Sequence, residues 1–369
     1  MLHRIAIFTF AVFLITAVFL SSNLLNSTTE AATLPPDFED VVVAAIGAPT
    51  ALAFTPDGRL LITTQQGQVR VYQNGALLAT PAVNLNSRLC TNSERGLLGV
   101  AVDPNFAANR YVYFYYTFKK TAACDATAVN RVARFVLADN NTIDTGTETV
   151  LIDNIHSPAG NHNGGDLHFG KDSLLYISVG DGGCDYANNS GCAGANDAAR
   201  DRHVMLGKIL RITRDGAIPA SNPFQGAGTG RCNVTGSTTS GNWCQETFAS
   251  GLRNPFRISF DSNAANTRFL STMSDKVSGR KLTKDCSEPI TAGTRVKVIA
   301  RIIRRPTAAR RLPDSPTPSM IINTPAIARR RACAAIRSPA ARSCRTAFGR
   351  ARMIILIFSA NTFAAKFLN

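Results

Sequence analysis

Apolar and polar residues alternate along much of the stretch from residue 38 to residue 270, and clusters of turn residues repeatedly break the alternation. The first unit reads ALAFTPDGRLLITTQQGQVRVYQNG, residues 51–75. It predicts a strand, a Pro-Asp-Gly turn, a second strand, a short turn and a third strand, because period-two alternation bounded by Pro, Asp and Gly is the pattern of a β-meander. The unit recurs as LGVAVDPNFAANRYVYFYYT with NRVARFVLADN, and again as DLHFGKDSLLYISVGD with GKILRITRDG. A fourth copy begins at RISFDSNAANTRFL and does not finish. Repeats of three or four short strands with variable insertions predict an all-β chain of the β-propeller type. A two-sheet sandwich would supply the strands but not the repeated turn signature. Helical periodicity is weak before residue 270. After it no period is found, and RIIRRPTAARRLPDSPTPSM and ARRRACAAIRSPAARSCR mix Arg, Ala, Pro and Ser without forming a face.

Charge changes this picture only once it is divided. The formal net charge of +15 suggests a nucleic-acid binder. Residues 271–369, however, hold 20 of the 40 Lys and Arg and only 4 of the 25 Asp and Glu, so the preceding 270 residues are close to neutral. The tail reads as a basic arm or as a solvated segment. Cysteines divide at the same place, with Cys90, Cys124, Cys184, Cys192, Cys232 and Cys244 before it and three after. Proximity pairs Cys184 with Cys192 and Cys232 with Cys244, each across a Gly-rich loop, and leaves Cys90 with Cys124. The start, Arg4 followed by an uncharged apolar run from Ile5 to Leu20, reads as a secretory signal or an N-terminal anchor over residues 1–32. Either one exports the chain, to the periplasm or the extracellular space, where disulfides persist.

Candidate chemistry is concentrated in a few loops. NHNGGDLHFG, residues 161–170, places His162 among Asn and Gly just ahead of a strand. An imidazole titrates near neutrality and suits proton transfer, while the structural alternative is a turn histidine bonded to local carbonyls. Asp181 ends LLYISVGD, where Asp-Gly-Gly is also good turn chemistry. Arg253 and Asn254 sit in GLRNPF. In DGGCDYANNSGCAGAND, the oxygens of Asp185, Asn188 and Asp197 suit calcium, but their spacing is unspecific and the stretch reads as a disulfide-stapled loop. His156 and His168 read as structural. No Walker motif, zinc cluster or Ser-His-Asp pattern stands out.

Four stretches in order, ERGLLGVAVDPNFAANRYVYFYYT, NHNGGDLHFGKDSLLYISVGDGG, LGKILRITRDGAIPASNPF and SGLRNPFRISFD, resemble the soluble glucose/sorbosone dehydrogenases over roughly residues 40–270. The resemblance implies a six-bladed β-propeller that binds pyrroloquinoline quinone (PQQ) and calcium. It also implies oxidation of an aldose sugar at its anomeric carbon, with hydride passing to the quinone and then to an electron acceptor. His162 would be the general base, and Asp181 would hold its ring in the productive tautomer. Arg253 and Asn254 would contact the quinone, the guanidinium stabilising the charge that hydride transfer creates. Gly164 and Gly165 would leave room for substrate and cofactor at the backbone. No nucleic acid is implied, nor any membrane contact beyond an N-terminal anchor.

The resemblance stops near Leu270. The family continues with a segment like FFINDVGQ, WEEI and GANYGWN, whereas this chain reads FLSTMSDKVSGRKLTKDCSEPITAGT. Codons chosen for Leu270 through Thr294 can spell INDVGQ, WEEIDEG and GANYGWN in a shifted frame. Residues 353–367 permit a late-blade sequence in the same way. The expectation is a partial propeller of about three and a half blades over residues 38–270, followed by a frameshifted or disordered basic tail over 271–369. Such a chain is expected to be inactive as written. Two other functions compete. A non-enzymatic extracellular binding propeller similar to Hedgehog-interacting proteins need not keep His162, Asp181 and Arg253. A basic-tailed nucleic-acid binder predicts steep salt dependence.

Overall fold

A computed structural model describes residues 41–273, except 187, 262–266 and 268, together with the backbone of 353–358 and 363–368. The predicted signal or anchor and most of the basic tail lie outside the described residues. Four antiparallel sheets follow one another along the chain. The first holds β2 (Pro49–Phe54), β3 (Leu60–Thr64), β4 (Gln68–Gln73) and β5 (Ala76–Leu77), with β6 (Val83–Asn84) also pairing with β4. β7 (Leu97–Val102), β8 (Tyr111–Phe118), β9 (Val129–Val136) and β10 (Thr149–His156) make the second. The third is β11 (Leu167–Phe169), β12 (Leu175–Val179), β13 (Lys208–Ile212) and β16 (Thr247–Ser250). The insertion before β16 carries a short parallel pair, β14 (Thr229–Gly230) and β15 (Trp243–Cys244). β17 (Pro255–Phe260) and β18 (Phe269–Met273) begin a fourth sheet. At the chain's start, β1 (Val41–Ala44) pairs with β20 (Phe363–Leu368), which also pairs with β19 (Met353–Phe358). MIILIF and FAAKFL are short apolar runs, which form strands without needing alternation.

The inner strands succeed one another as in a propeller. β7 packs on β2 and β3, β11 packs on β7 and β8, and β17 packs on β11 and β12. Among the described residues no sheet closes the ring. The three meanders and the unfinished fourth are those expected from the sequence. β10 and β16 complete the second and third sheets. β10 pairs through two register shifts and β16 follows a long insertion, so neither continues the alternation next to it.

β8 shows why these runs are strands. Its sequence YVYFYYTF is apolar on both faces. Val112, Phe114 and Tyr116 point into a core shared with Leu61, Val69 and Val71 of the first sheet. Tyr113 and Tyr115 point the other way, against Leu167, Leu175, Ile177 and Val179 of the third. Burying each such side chain contributes about 1.5–3 kcal/mol. The buried hydroxyls are satisfied: Tyr113 donates to Asp103 Oδ2 at 2.6 Å and Tyr115 to the Asn163 carbonyl at 2.8 Å. The three cysteine pairs form as proximity suggests: Cys90–Cys124, Cys184–Cys192 and Cys232–Cys244.

Candidate functional site

The repeat itself gathers the site. Glu94 lies just before β7, His162 just before β11, and Arg253 and Asn254 just before β17. Equivalent positions on successive sheets lie at the same end of the inner strands. Asp181 joins them because β12 runs antiparallel to β11 and ends where β11 begins. The four residues predicted from the sequence are thereby brought to one end of the molecule.

His162 Nδ1 and Asp181 Oδ1 are 2.7 Å apart. Both residues are buried, at 8% and 3% exposure. The Gly183 N–H also donates to that oxygen at 3.0 Å, and the Asp181 N–H donates to the Arg253 carbonyl at 2.7 Å. With the carboxylate on Nδ1, the neutral ring carries its proton there and leaves Nε2 as the basic nitrogen. His162 adopts φ +51°, a left-handed conformation uncommon for a residue with a Cβ. Its N–H donates to Glu94 Oε2 at 2.7 Å and its carbonyl accepts from the Gly182 N–H at 3.3 Å.

The next residue, Asn163, locks the loop from beneath. Its Oδ1 accepts from Ser157 Oγ at 2.8 Å and from Asn130 Nδ2 at 3.0 Å, and its Nδ2 donates to the Gly160 carbonyl at 3.1 Å. Buried Arg95 closes the network, donating to Ser157 Oγ at 3.1 Å and to the carbonyls of Cys124 and Asp125 at 3.0 Å each. Burial lowers the Arg95 pKa, with Asp125 opposing the shift.

The glycines correct an expectation. A Cβ on Gly164 would lie 2.8 Å from the Ser178 carbonyl oxygen, and one on Gly165 would lie 2.8 Å from Leu98 Cβ and 2.9 Å from the Tyr115 ring. Both have positive φ. They let the loop pack onto its own strands, so close internal approach rather than open space for a ligand requires them.

Arg253 is partly exposed, while Asn254 is buried with its Oδ1 accepting from the Gly164 N–H at 3.2 Å. The GLRNPF loop therefore braces the histidine loop through Asn254 and meets Asp181 through the Arg253 carbonyl. Asp166 ties the next strand in, accepting from the Ile258 N–H at 2.8 Å and from His168 Nε2 at 3.2 Å. Burial alone would raise its pKa, but His168, Arg257 and the Ile258 N–H outweigh burial and hold it below the usual carboxylate range. His168 is thus structural, as expected.

The stapled loop after Asp181 holds a second group. Asp185, Asp197 and Asp201 each place a carboxylate oxygen within 4.8 Å of the others. Asp197 Oδ1 and Asp201 Oδ2 are buried and have no hydrogen-bond partner among the described residues. Burial, then the charges of Asp185 and Asp197, raises the Asp201 pKa. The exposed Asn188 serves the turn, its N–H donating to the Asp185 carbonyl at 3.3 Å. His156 lies alongside, its ring stacked on Tyr186 at 3.4 Å.

Sequence reasoning does not single out Glu94, Asn163 or Asp201. Glu94 and Asn163 lie inside quoted motifs, at the positions that precede inner strands, and that shared placement is the available signal.

Comparison with known proteins follows the same outline. The chain is 31% identical over 186 residues to the aldose sugar dehydrogenase YliI of Escherichia coli, covering 50% of this chain and 46% of that protein. It is 28% identical over 194 residues to quinoprotein glucose dehydrogenase B of Acinetobacter calcoaceticus, covering 50% and 40%. It is 28% identical over 240 residues to human Hedgehog-interacting protein, covering 60% and 31%. The chain thus spans less than half the length of these relatives. Among solved structures, a glucose dehydrogenase-like oxidoreductase from Thermus thermophilus matches with a TM-score of 0.50 and 27% identity, over 64% of each chain. The soluble aldose sugar dehydrogenase of Escherichia coli in its apo form matches with a TM-score of 0.50 and 25% identity, over 64% of this chain and 60% of that one. The family model for Glucose / Sorbosone dehydrogenase matches residues 46–266, and the chain belongs to that family.

Proposed function

We propose that residues 41–273 carry the proton-transfer half of a PQQ-dependent aldose dehydrogenase site, in an exported protein. The observation that carries this reading is the buried His162–Asp181 pair at 2.7 Å, with Arg253 next to it in the same cluster. With the Nδ1 proton directed to Asp181, His162 Nε2 would accept the proton of a sugar's anomeric hydroxyl. Asp181 would then stabilise the imidazolium. Bound PQQ would supply the hydride acceptor. Arg253 would suit an anionic quinone, because it carries a cation on a partly exposed residue whose main chain is bonded to Asp181, and Asn254 would hold the loop that presents it. The Acinetobacter relative is a quinoprotein, which supports the choice of cofactor.

Calcium is the second group the resemblance implies. The two buried carboxylate oxygens of Asp197 and Asp201 without partners, with Asp185 beside them, fit a hard cation that prefers oxygen ligands. These three residues would hold it. Three disulfides support export. In the described residues no helix is long and apolar enough to cross a membrane.

The chain as written is proposed to be inactive, because the family's later blades are missing from its reading frame after about residue 270. The test is dye-linked aldose oxidation with PQQ and calcium, run on this chain and on a version with the frame restored at codon 270. The restored protein is expected to turn over, and this chain to fall short by at least ~100-fold. Turnover by this chain sinks the inactivity claim. A restored protein that binds no PQQ favours a binding propeller of the Hedgehog-interacting kind.

A further inference from the structure

The left-handed backbone of His162 needs an explanation from outside its own loop. Three contacts fix the residue: Asp181 on its ring, the Gly182 N–H on its carbonyl, and Glu94 on its N–H. The first two come from the third sheet, which also carries the histidine. Glu94 comes from the second sheet.

Glu94 grips twice. Its carboxylate accepts the His162 N–H at 2.7 Å, and its own N–H donates to the Gly160 carbonyl at 3.1 Å. Residue 94 therefore brackets the segment that leads into His162. The mount is rigid. Arg95 is buried and bonded to Ser157, Cys124 and Asp125, and Cys124 is closed onto Cys90 by a disulfide. Gln65 of the first sheet adds two bonds from its Nε2, to the Ser93 carbonyl at 2.8 Å and the Arg95 carbonyl at 3.0 Å. Glu94 itself is exposed and forms no ion pair among the described residues. Its carboxylate is committed to one main-chain N–H of a buried residue, and a charged acceptor makes that bond stronger than a neutral one would.

We infer that Glu94 is a positioning residue, which holds His162 at φ +51° so that its Nδ1 meets Asp181 and its Nε2 is left free as the base. The role rests on the proposed function only in giving the base a task; the geometry itself can be read without turnover.

The test uses the full chain with nitrogen-15-labelled histidine. Its five histidines are sorted by the signals lost in His162→Gln. In the unsubstituted chain, His162 is expected to be protonated at Nδ1, with slow exchange of that proton. Glu94→Ala is expected to mix the two tautomers and speed the exchange by roughly 10-fold or more, without lowering the melting temperature. Glu94→Gln, which keeps an acceptor oxygen at the same reach, is expected to restore the single tautomer. Unchanged His162 signals in Glu94→Ala overturn the inference, and so does a Glu94→Gln spectrum that matches Glu94→Ala. If Glu94→Ala does not fold, Glu94→Asp, one methylene too short to keep the bond, takes its place under the same two criteria. A failed turnover assay leaves this result standing, and a failed tautomer test leaves the dehydrogenase assay open.

Discussion

The loop before β11 and the loop after β12 lie next to each other and are built on opposite plans. In residues 157–166 the key polar groups meet protein partners: Asn163 is bonded through both amide atoms and its carbonyl, and His162 through its N–H, carbonyl and ring. In residues 184–201 a disulfide closes the loop, yet three carboxylates converge and two of their oxygens are buried without a partner. The first loop is finished by the protein itself. The second leaves two carboxylate oxygens without a partner among the described residues, which is the feature behind the proposed cation site. A proton-transfer group gains from the first plan, because the ring is already oriented before substrate arrives. A cation site tolerates the second, because like charges can stay close once a cation neutralises them.

The largest effect should come from spoiling orientation in the finished loop. Asp181→Asn in the frame-restored protein would present an amide to Nδ1 and favour the wrong tautomer, with the fold retained. Dye-linked oxidation should fall by about 10²–10⁴ in kcat. A loss smaller than ~10-fold would remove Asp181 from the mechanism.

Next comes the support beneath. Asn163→Ala leaves the Asn130 amide, the Ser157 hydroxyl and the Gly160 carbonyl short of a partner in a buried place. Stability measured by urea unfolding should drop by roughly 3 kcal/mol. The same truncation at exposed Asn188 should cost well under ~1 kcal/mol.

How much of this contrast the sequence discloses depends on the kind of information involved. The meanders are legible because alternation and Pro-Asp-Gly chemistry act locally. His162, Asp181, Arg253 and Asn254 are legible because each lies in a recognisable motif. Glu94 is not, since its role is a bond to a backbone N–H 68 residues away and no local pattern records it. From sequence, Gly164 and Gly165 read as space for a ligand, but what they face is Ser178, brought close by the pairing of β11 with β12, and Leu98 and Tyr115, brought close by the packing of β11 against β7 and β8. Asp201 lies 16 residues beyond Asp185, and the stapled loop must fold before they meet.

His156 tests the boundary between the two loops by pH. It is half-covered by Tyr186, and burial pulls its pKa from the ordinary 6.5 down to about 4. Below pH 6.5 the unfolded chain therefore takes up a proton that the folded chain refuses. Stability should fall as the pH drops from about 6.5 to about 4, by at most roughly 3 kcal/mol. His156→Phe should flatten that part of the pH–stability curve. An unchanged slope would mean that the ring titrates freely and that the stack on Tyr186 opens at little cost.

The smallest effect has a sign that distinguishes the two plans most sharply. Without a cation, Asp201 sits near two like charges, and the rise in its pKa reflects burial first and those charges second. Asp201→Asn should therefore leave the cation-free chain at least as stable as before. Calcium should reverse the order. At about 100 times its dissociation constant it would stabilise the unsubstituted chain by about 2.7 kcal/mol. It should do far less for Asp201→Asn, which has lost one of three carboxylates. Thermal melts with calcium and with a chelator decide the matter. If the unsubstituted chain melts at the same temperature in both, the orphaned oxygens of Asp197 and Asp201 are not a cation site, and the loop's incompleteness needs another cause. If calcium raises the melting temperature equally in both proteins, the ion binds elsewhere and the contrast between the two loops loses its chemical meaning.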